Sequence, residues 1–448
     1  MSKMINTARE AAAFTLFDIA EKGAWSDGAL HRRLDAAQLS GRDSALAAQL
    51  VYGTIQNELL CDWYLRQFSK IRLAKLADRV RICLRMAIYQ LVMLDRIPAY
   101  AVVDETVSII RRYGKVGEKA VSFSNAVLHA VADAVQQNTL PKLNCPDKES
   151  YYSLRYSHPE WLVRRLARQF GLKEAEKILI ENNRMTPSSV RVNHMKMSVE
   201  NAAERLLSDG FTVVVHPTAD AILMVSGGDI ASHPLFLDGA ITVQDAAGSM
   251  TVDVLDPAAG ETVIDCCAAP GGKSFGIAER MENTGKLLSC DIFEHKLKRI
   301  EDGAKRLGLT NLTTNLQDAS KKREEWIGAA DRVLCDVPCS GMGIIRKKPE
   351  IRYKKEEEIA DLPLIQRSIL ENCSQYVKAG GVLVYSTCTI LKEENEEIVT
   401  AFLEAHPEFE AVAFEHPICG AAEQGWITLL PHLHNTDGFF IAKLRRKE

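Results

Sequence analysis

Two cysteines in separate parts of the chain stand where a thiol could do covalent chemistry. Cys339 follows a proline in DVPCSG, Cys388 ends the tripeptide STC, and each comes just after an apolar run that is typical of a strand. A reactive cysteine needs partial exposure and surroundings that favour its thiolate. The rim of a sheet offers both, whereas strand positions such as Cys290 and Cys335 do not. If the two strands are parallel and close, we expect Cys339 and Cys388 at the same rim.

Two thiols and an acid at one rim suit methyl transfer to a pyrimidine. Carbon 5 of a pyrimidine is a poor nucleophile, but thiolate addition at carbon 6 makes the ring enamine-like and able to attack a methyl sulfonium. A carboxyl group near N3 would help by donating a proton. A base must later remove the C5 proton so that the thiol can leave.

A glycine loop, DCCAAPGGKS at residues 265–274, superficially resembles a triphosphate-binding loop. That loop requires glycine at the position of Cys267, and Pro270 has no N–H to offer a phosphate. The dinucleotide fingerprint GxGxxG is also absent. Asp291 ends the next predicted strand, where an acid takes ribose hydroxyls. Asp318 ends the following one, where an acid could accept from an adenine amino group. The combination predicts a nucleoside cofactor without a pyrophosphate, and S-adenosylmethionine is the candidate.

The elements around these residues predict a multidomain protein. Residues 1–140 read as an all-α bundle, with one helix over 43–65 and another starting near Ser124 or Asn125. Residues 145–237 read as a small α+β domain. Strands and helices alternate over residues 238–448, which predicts an α/β, doubly wound, Rossmann-like sheet with binding residues at the carboxyl ends of its strands.

Composition is that of an ordinary globular protein. The 448 residues are 46% hydrophobic and 25% charged, with a net charge of −4. No apolar run approaches the roughly 20 residues of a membrane span, and the N-terminus has no signal-peptide core. We therefore expect a cytoplasmic protein with no membrane partner. Its eleven cysteines should be thiols, mostly buried, and without CxxC spacing we expect no metal site.

Basic residues outnumber acidic ones two to one between residues 61 and 120, where twelve stand against six. This excess favours an RNA-facing surface and a solvated helical face about equally. The twelve are Arg66, Lys70, Arg72, Lys75, Arg79, Arg81, Arg85, Arg96, Arg111, Arg112, Lys115 and Lys119.

Three separated motifs resemble those of the RNA cytosine-C5 methyltransferases: CAAPGGKS, DVPCSGMGIIRKKPEIRY, and YSTCTI with ENEE following. Along its whole length the chain is most similar to the RsmB (Fmu/Sun) branch, which modifies bacterial small-subunit ribosomal RNA. IPAYAVVDETV and FSNAVLHAV resemble that branch's NusB-like RNA-binding domain. YSHPEWLVRR and SSVRVN resemble its linker domain, and GAITVQDAAGSM resembles the entry to its catalytic domain.

The resemblance implies S-adenosylmethionine as cofactor, 16S rRNA as partner, and a role for each matching residue. Cys388 would be the nucleophile, Cys339 would assist product release and Asp336 would lie beside the target base. Basic residues after the Pro-Cys loop would contact RNA phosphates, against the alternative of a solvated loop. The implied cofactor residues are Cys267, Ala268, Ala269, Pro270, Gly271, Gly272, Lys273, Asp291, Asp318 and Asp336. The RNA contacts predicted from this position in the chain are Arg346, Lys347, Lys348 and Arg352.

Several alternatives stay open at the level of sequence. DNA cytosine methyltransferases use the Pro-Cys cysteine as nucleophile, so spacing alone does not choose between Cys339 and Cys388. The substrate could be transfer RNA, or the protein could bind RNA without catalysis, although the intact thiols argue against that. The target base must be unstacked to reach a thiol. A monomer is the default because no self-complementary surface stands out.

Overall fold

A computed structural model describes residues 7–39 and 41–448 of the chain. The chain divides into two compact units, and each is described by itself. The first runs to Asn183 and also includes Ile345–Lys354, and the second comprises Arg184–Ile344 and Lys355–Glu448. The first six residues, where the sequence argues against a signal peptide, lie outside the described part. No helix in that part is both long enough and apolar enough to cross a membrane.

The first unit is built from helices, as the sequence predicts for residues 1–140. Their bounds are α1 Ala8–Lys22, α2 Ser26–Ala37, α3 Gly41–Gln56, α4 Glu58–Phe68, α5 Asp78–Met93, α6 Ala99–Tyr113, α7 Glu118–Gln136, α8 Lys148–Tyr156, α9 Glu160–Phe170 and α10 Leu172–Glu181. The predicted single helix over 43–65 is interrupted at Asn57. The helix expected to begin near Ser124 begins six residues earlier, after Gly117.

Local chemistry explains the ends and the packing of these helices. The Thr7 hydroxyl accepts from the Glu10 N–H at the start of α1, and Gly23 ends that helix in the left-handed region. Where α3 crosses α5, a Cβ at Gly53 would stand 2.0 Å from the Tyr89 ring. Only glycine therefore permits this approach, which brings Leu50 into the buried core of the bundle.

The second unit begins with a four-stranded antiparallel sheet, in the order β2-β3-β1-β4. Helix α11 contacts β2, and the apolar side chains of β1 and β3 lie in the core beneath it. The α+β character predicted for residues 145–237 holds from β1 onward, whereas the earlier part of that range forms α8 to α10 of the first unit. β3 and β4 are strands that the sequence did not single out. The bounds are β1 Ser188–Val192, α11 Val199–Ser208, β2 Thr212–Val215, β3 Ile222–Ser226, α12 Pro234–Leu237 and β4 Ile241–Val243.

The rest of the second unit is the predicted α/β domain. Its strands are β5 Thr262–Asp265, β6 Lys286–Asp291, β7 Leu312–Leu316, β8 Ala330–Asp336, β9 Val377–Thr387, β10 Phe409–Ala411, β11 Phe414–His416, β12 Gly420–Ala422, β13 Trp426–Leu429 and β14 Phe439–Arg446. Its helices are α13 Ala246–Leu255, α14 Gly272–Arg280, α15 Glu294–Leu307, α16 Glu356–Ile359, α17 Leu362–Ser374, α18 Glu396–Ala405 and α19 Pro431–His434.

Sheet order determines where the functional strands end. The strands lie in the order β10-β14-β9-β8-β5-β6-β7, with β13 paired to β14. Strands β5 to β9 are parallel, whereas β14 runs antiparallel to β9. The strand order reverses between β5 and β8, and such a switch point leaves a crevice at the carboxyl ends of the strands. Asp336 is in register with Ser386 at that edge.

Candidate active site

The two predicted thiols meet at this edge. Strands β8 and β9 are parallel neighbours, and Cys339 and Cys388 follow directly after them. Their Sγ atoms lie 3.1 Å apart, within hydrogen-bonding distance for sulfur. Both residues are partly exposed, whereas Cys290 and Cys335 in the strands are 1% and 0% exposed. The prediction that both thiols share one rim is confirmed.

Hydrogen bonds from the ENEE segment fix both cysteine loops. The Glu394 carboxylate accepts from the backbone N–H of Ser340 at 2.8 Å and from Gln366 Nε2 at 2.8 Å. Asn395 accepts from Thr387 Oγ1 at 2.6 Å, just before the second cysteine. Glu394 is 2% exposed and Asn395 is fully buried. Buried polar groups paired in this way hold loop geometry tightly, so both thiols are positioned from the same short segment.

An acid and a lysine lie beside the thiols. Asp336 accepts from Lys273 Nζ at 2.6 Å through one carboxylate oxygen and from Ser386 Oγ at 2.8 Å through the other. The Lys273 ammonium also lies over the Phe439 ring, 4.9 Å from its centre. Burial lowers the pKa of Lys273, but the Asp336 carboxylate outweighs burial and leaves that pKa above its usual value. Asp336 is thus held in one orientation by two donors.

The two thiols have opposite pKa shifts. The hydrogen bond shared with Cys339 lowers the pKa of Cys388, burial and the Asp336 charge raise it, and the Lys273 charge lowers it. The same sulfur–sulfur hydrogen bond, together with burial, raises the pKa of Cys339. Either sulfur can donate this hydrogen bond, and a thiolate is the nucleophilic form of cysteine, so the geometry suits one thiolate stabilised by a neighbouring thiol.

The glycine loop between β5 and α14 lines a pocket next to this cluster. Gly271 has φ of 111°, in a region that side chains rarely adopt, and it turns the chain into the helix. Six predicted cofactor residues of the loop line the pocket: Cys267, Ala268, Ala269, Pro270, Gly272 and Lys273. Asp336 lines it too. Small side chains and a helix N-terminus leave room for a ligand here, so these residues fit S-adenosylmethionine.

The two predicted nucleoside acids lie at the ends of the next strands. Asp291 ends β6 and is 7% exposed; it accepts from the Phe293 N–H at 3.0 Å. Ile292 and Phe293 beside it are 53% and 49% exposed, apolar surfaces on which an adenine could lie. Asp318 follows β7, where two hydrogen bonds from Ser320 lower the pKa of its carboxyl. Neither acid lines the pocket formed by the glycine loop.

Sequence reasoning missed several residues of the pocket. Gln244, Asp245 and Gly248 enter it from the start of α13, and Asp437 and Phe439 enter it from the start of β14. The backbone N–H of Asp437 donates to Asp245 Oδ1 at 3.1 Å, which joins the two segments. The only signal was VQDAAG, which carried a resemblance but no assigned role. These two segments are far apart in the sequence, so only the tertiary structure shows that they line the same pocket.

The predicted RNA contact at Arg352 is wrong. Its side chain is fully buried in the first unit, where the guanidinium donates to the backbone oxygens of Gln56 at 3.2 Å and Asn182 at 3.1 Å, and to Asn183 Oδ1 at 2.6 Å. Burial lowers its pKa to about 10. A guanidinium enclosed in this way has no donors directed to solvent. Arg352 therefore supports the helical unit and does not reach a phosphate.

The other predicted RNA contacts differ in exposure. The Arg346 side chain is 6% exposed and lies 3.7 Å from Glu181, so its predicted phosphate contact is also contradicted. Lys347 and Lys348 are half-buried, and Lys348 Nζ lies 4.9 Å from the centre of the Trp25 ring. The positions of basic residues in the sequence do not show which arginine side chains are buried and which face solvent or a ligand.

Replacing Arg352 with methionine should destabilise the helical unit. The change leaves several buried carbonyl groups without donors, at about 1–3 kcal/mol each before relaxation, and we expect a loss of about 3–5 kcal/mol in the free energy of unfolding. Urea denaturation followed by circular dichroism measures it. The exposed Arg66→Met is the control and should change stability by less than about 0.5 kcal/mol. An unchanged stability of Arg352→Met with weaker RNA binding would restore the phosphate contact.

Ion pairs occupy part of the basic stretch between residues 61 and 120. Arg85 pairs with Asp62 at 2.7 Å, and Arg79 pairs with Glu21 at 2.5 Å. Nine other cations of the stretch are exposed, so the RNA-facing and solvated alternatives both remain compatible with the fold. The nine are Arg66, Lys70, Arg72, Lys75, Arg96, Arg111, Arg112, Lys115 and Lys119, of which Arg111 pairs with Glu118 and Arg112 with Glu10.

Three further thiols gather away from the pocket. Cys266, Cys335 and Cys373 are buried, and their sulfur atoms all lie within 4.8 Å of one another. The inward orientation predicted for Cys266 is confirmed by its 3% exposure. The group supplies three ligands where a structural zinc site takes four, and its neighbours are apolar side chains of the sheet core. Core packing accounts for it.

Comparison with known families divides the chain into three matched segments. Residues 252–445 match the family described as 16S rRNA methyltransferase RsmB/F. Residues 6–133 match the NusB family, and residues 158–231 match the ferredoxin-like domain of RsmF/B-like methyltransferases. The matched segments follow the predicted order of helical, small α+β and α/β regions.

Individual relatives extend over almost the whole chain. The chain is 36% identical to the "Probable ribosomal RNA small subunit methyltransferase B" of Bacillus subtilis, over 98% of this chain and 99% of the relative. It is similar to a solved structure named PH0851, with a TM-score of 0.82 and 29% identity over 99% of this chain and all of that one. A methyltransferase homolog from Pyrococcus horikoshii has a TM-score of 0.59 and 29% identity, over 68% of this chain and all of its own.

Proposed function

The chain belongs to the RsmB/F family of 16S rRNA methyltransferases and uses S-adenosylmethionine to methylate RNA. From this membership we propose that it methylates carbon 5 of a cytosine in 16S rRNA through a covalent bond between Cys388 Sγ and carbon 6 of the base. The observation that carries the proposal is the pair of Sγ atoms of Cys339 and Cys388, 3.1 Å apart beside the cofactor loop.

The proposed reaction begins at Cys388. Its thiolate adds to carbon 6 while N3 takes a proton through Asp336, whose carboxylate is hydrogen-bonded to the Lys273 ammonium and can be reprotonated from it. The bonds from Lys273 and Ser386 hold that carboxylate in place. S-Adenosylmethionine, when bound, supplies an electrophilic methyl group for carbon 5. A base then removes the C5 proton, the bond between Cys388 Sγ and carbon 6 breaks, the N3 proton returns to Asp336, and 5-methylcytosine leaves.

Electrostatics supports Cys388 over Cys339 as the attacking thiol. In this proposal the S–H of Cys339 is donated to Cys388 and favours a thiolate there; the Lys273 charge also favours that thiolate, while the Asp336 charge opposes it. Once Cys388 is bonded to the base, its sulfur no longer carries the negative charge that held the Cys339 proton. The Cys339 thiol can then lose its own proton to solvent, and the resulting thiolate accepts the C5 proton, which is the role we propose for it in product release.

The domains divide the work in this proposal. We propose that residues 1–140 bind RNA, that residues 145–237 connect the two larger domains, and that residues 238–448 catalyse methyl transfer. Within the catalytic domain, Asp291 would bind the ribose of the cofactor and Asp318 would lie near its adenine. Lys347 and Lys348 are the proposed phosphate contacts that remain after Arg346 and Arg352 are set aside. Phosphate contacts of this kind give salt-dependent affinity without reading sequence.

Product analysis tests the proposed reaction. The purified protein is incubated with S-adenosylmethionine and either unmodified 16S rRNA or unmodified transfer RNA, and nucleosides are separated by liquid chromatography and mass spectrometry. We expect close to one 5-methylcytidine per 16S rRNA and at least about 100-fold less in transfer RNA, about 2.7 kcal/mol of discrimination. Methylated transfer RNA alone would reassign the substrate, and methylation at another atom would contradict the mechanism.

A further inference from the structure

A buried amide in the cofactor pocket has a donor that no described residue uses. Gln244 is 7% exposed and lines the pocket with Gly248 and Gly272. Its Nε2 atom has no hydrogen-bond partner among the described residues. Leaving a buried donor unpaired costs about 1–3 kcal/mol, so an unpaired amide in a ligand pocket indicates that a ligand atom completes it.

The orientation of this amide is determined by its neighbours. Arg191 Nε donates to Gln244 Oε1 at 2.6 Å, and an arginine has donors only, so the oxygen must face it and the NH₂ group must face the pocket. The arginine is itself held by Glu279, with Nη2 donating at 3.1 Å, and the two side chains are 7% and 1% exposed. The small β-sheet, through Arg191 on β1, thereby aims a donor into the pocket of the α/β domain.

The amide lies at the start of helix α14. A Cβ at Gly272, the first residue of that nine-residue helix, would stand 3.8 Å from Gln244 Nε2. A helix N-terminus attracts anions through its free N–H groups and its dipole. The pocket is also lined by Asp265 and Asp437, whose carboxylates suit an ammonium or sulfonium and repel an anion, and by Lys273, which pairs with Asp336. The carboxylate of Asp245, next to Gln244, already accepts from the backbone N–H groups of Ala247 and Asp437. A ligand carboxylate is therefore favoured at Gln244 and Gly272.

S-Adenosylmethionine carries one carboxylate, at its methionine end. We infer that Gln244 donates to this carboxylate, and that it is the residue by which the pocket distinguishes the complete cofactor from adenosine derivatives that lack the amino-acid end. The inference rests on the proposed placement of the cofactor in this pocket. Arg191 and Glu279 act through Gln244 and are positioning residues.

The test compares two ligands on one variant. Gln244→Glu keeps an oxygen for Arg191 but replaces the donor with an acceptor, and Gln424→Glu makes the same change at an exposed glutamine. Calorimetry measures the dissociation constants of S-adenosylhomocysteine, which has the carboxylate, and 5′-methylthioadenosine, which lacks it. We expect Gln244→Glu to weaken the first by about 10- to 100-fold, as for a hydrogen bond to a charged group, and to change the second less than twofold.

Each of the other possible binding results would contradict one part of this inference. Equal weakening of both ligands would mean that Gln244 only supports the fold of the pocket, and unchanged binding of both would mean that it does not touch the carboxylate. Binding of 5′-methylthioadenosine also reports that the variant is folded. If Gln424→Glu and the unaltered protein bind neither ligand, the pocket itself is misplaced, and the proposed cofactor placement fails along with this inference.

Discussion

Replacing Cys388 with alanine is expected to abolish methylation of 16S rRNA. The side chain supplies the bond to carbon 6, and without it carbon 5 stays too weak a nucleophile to take the methyl group. Loss of a catalytic nucleophile lowers turnover on the order of 10⁴-fold or more. The measurement is the transfer of radioactive methyl groups from S-adenosylmethionine to RNA under single-turnover conditions.

The control for this change is Cys145→Ala, which alters a partly exposed cysteine in the helical unit. It should keep the activity of the unaltered protein within about twofold, because ordinary surface substitutions are nearly neutral. S-Adenosylhomocysteine binding should be the same in both variants, which separates a loss of chemistry from a loss of cofactor. Methyl transfer by Cys388→Ala at more than about a hundredth of the original rate would contradict the assignment of the nucleophile.

Replacing Cys339 with alanine is expected to make the covalent intermediate accumulate, whereas Cys388→Ala prevents it from forming. Cys388 Sγ would still add to carbon 6 and the methyl group would still arrive, but the C5 proton would leave slowly. Loss of a positioned acid or base costs about 10²–10⁴-fold, so the protein–RNA adduct should accumulate. A denaturing gel of radioactive RNA would show it as a slowly migrating band that protease removes.

The double variant Cys339→Ala with Cys388→Ala distinguishes the roles of the two thiols. It should form no band, because the adduct requires Cys388 whatever replaces Cys339. In the single variant Cys339→Ala, the addition of Cys388 to carbon 6 should also be slower, because alanine removes the hydrogen bond that lowers the pKa of Cys388. Accumulation of adduct in Cys388→Ala, with none in Cys339→Ala, would reverse the two assignments.

Much of the site could be predicted from sequence because its chemistry follows short motifs at strand ends. The apolar runs before Cys339 and Cys388 are buried parallel strands, and parallel strands end at the same edge of a sheet. Asp291 is predicted in the same way, as the last residue of a buried parallel strand. The position of Asp336 opposite Ser386 follows from register, which no spacing along the chain reveals.

The residues that escaped prediction come together only through tertiary contacts. Gln244 lies 28 residues before Gly272 in the chain, and its amide is oriented by Arg191 on β1 of the small antiparallel sheet. Arg352 stands among basic residues in sequence, yet its guanidinium is enclosed by backbone oxygens of the helical unit. In both cases the decisive property is what surrounds the side chain, and a sequence pattern reports that poorly for polar residues.

The covalent bond to the base can be located directly. 16S rRNA is transcribed with 5-fluorocytidine, whose fluorine cannot leave as a proton does, so the methylated base stays attached to the thiol. After digestion with nuclease and protease, mass spectrometry identifies the modified peptide. We predict a nucleotide on the peptide that contains Cys388. A nucleotide on the peptide that contains Cys339, or methylation of 16S rRNA with no adduct on either cysteine, would contradict the proposed reaction.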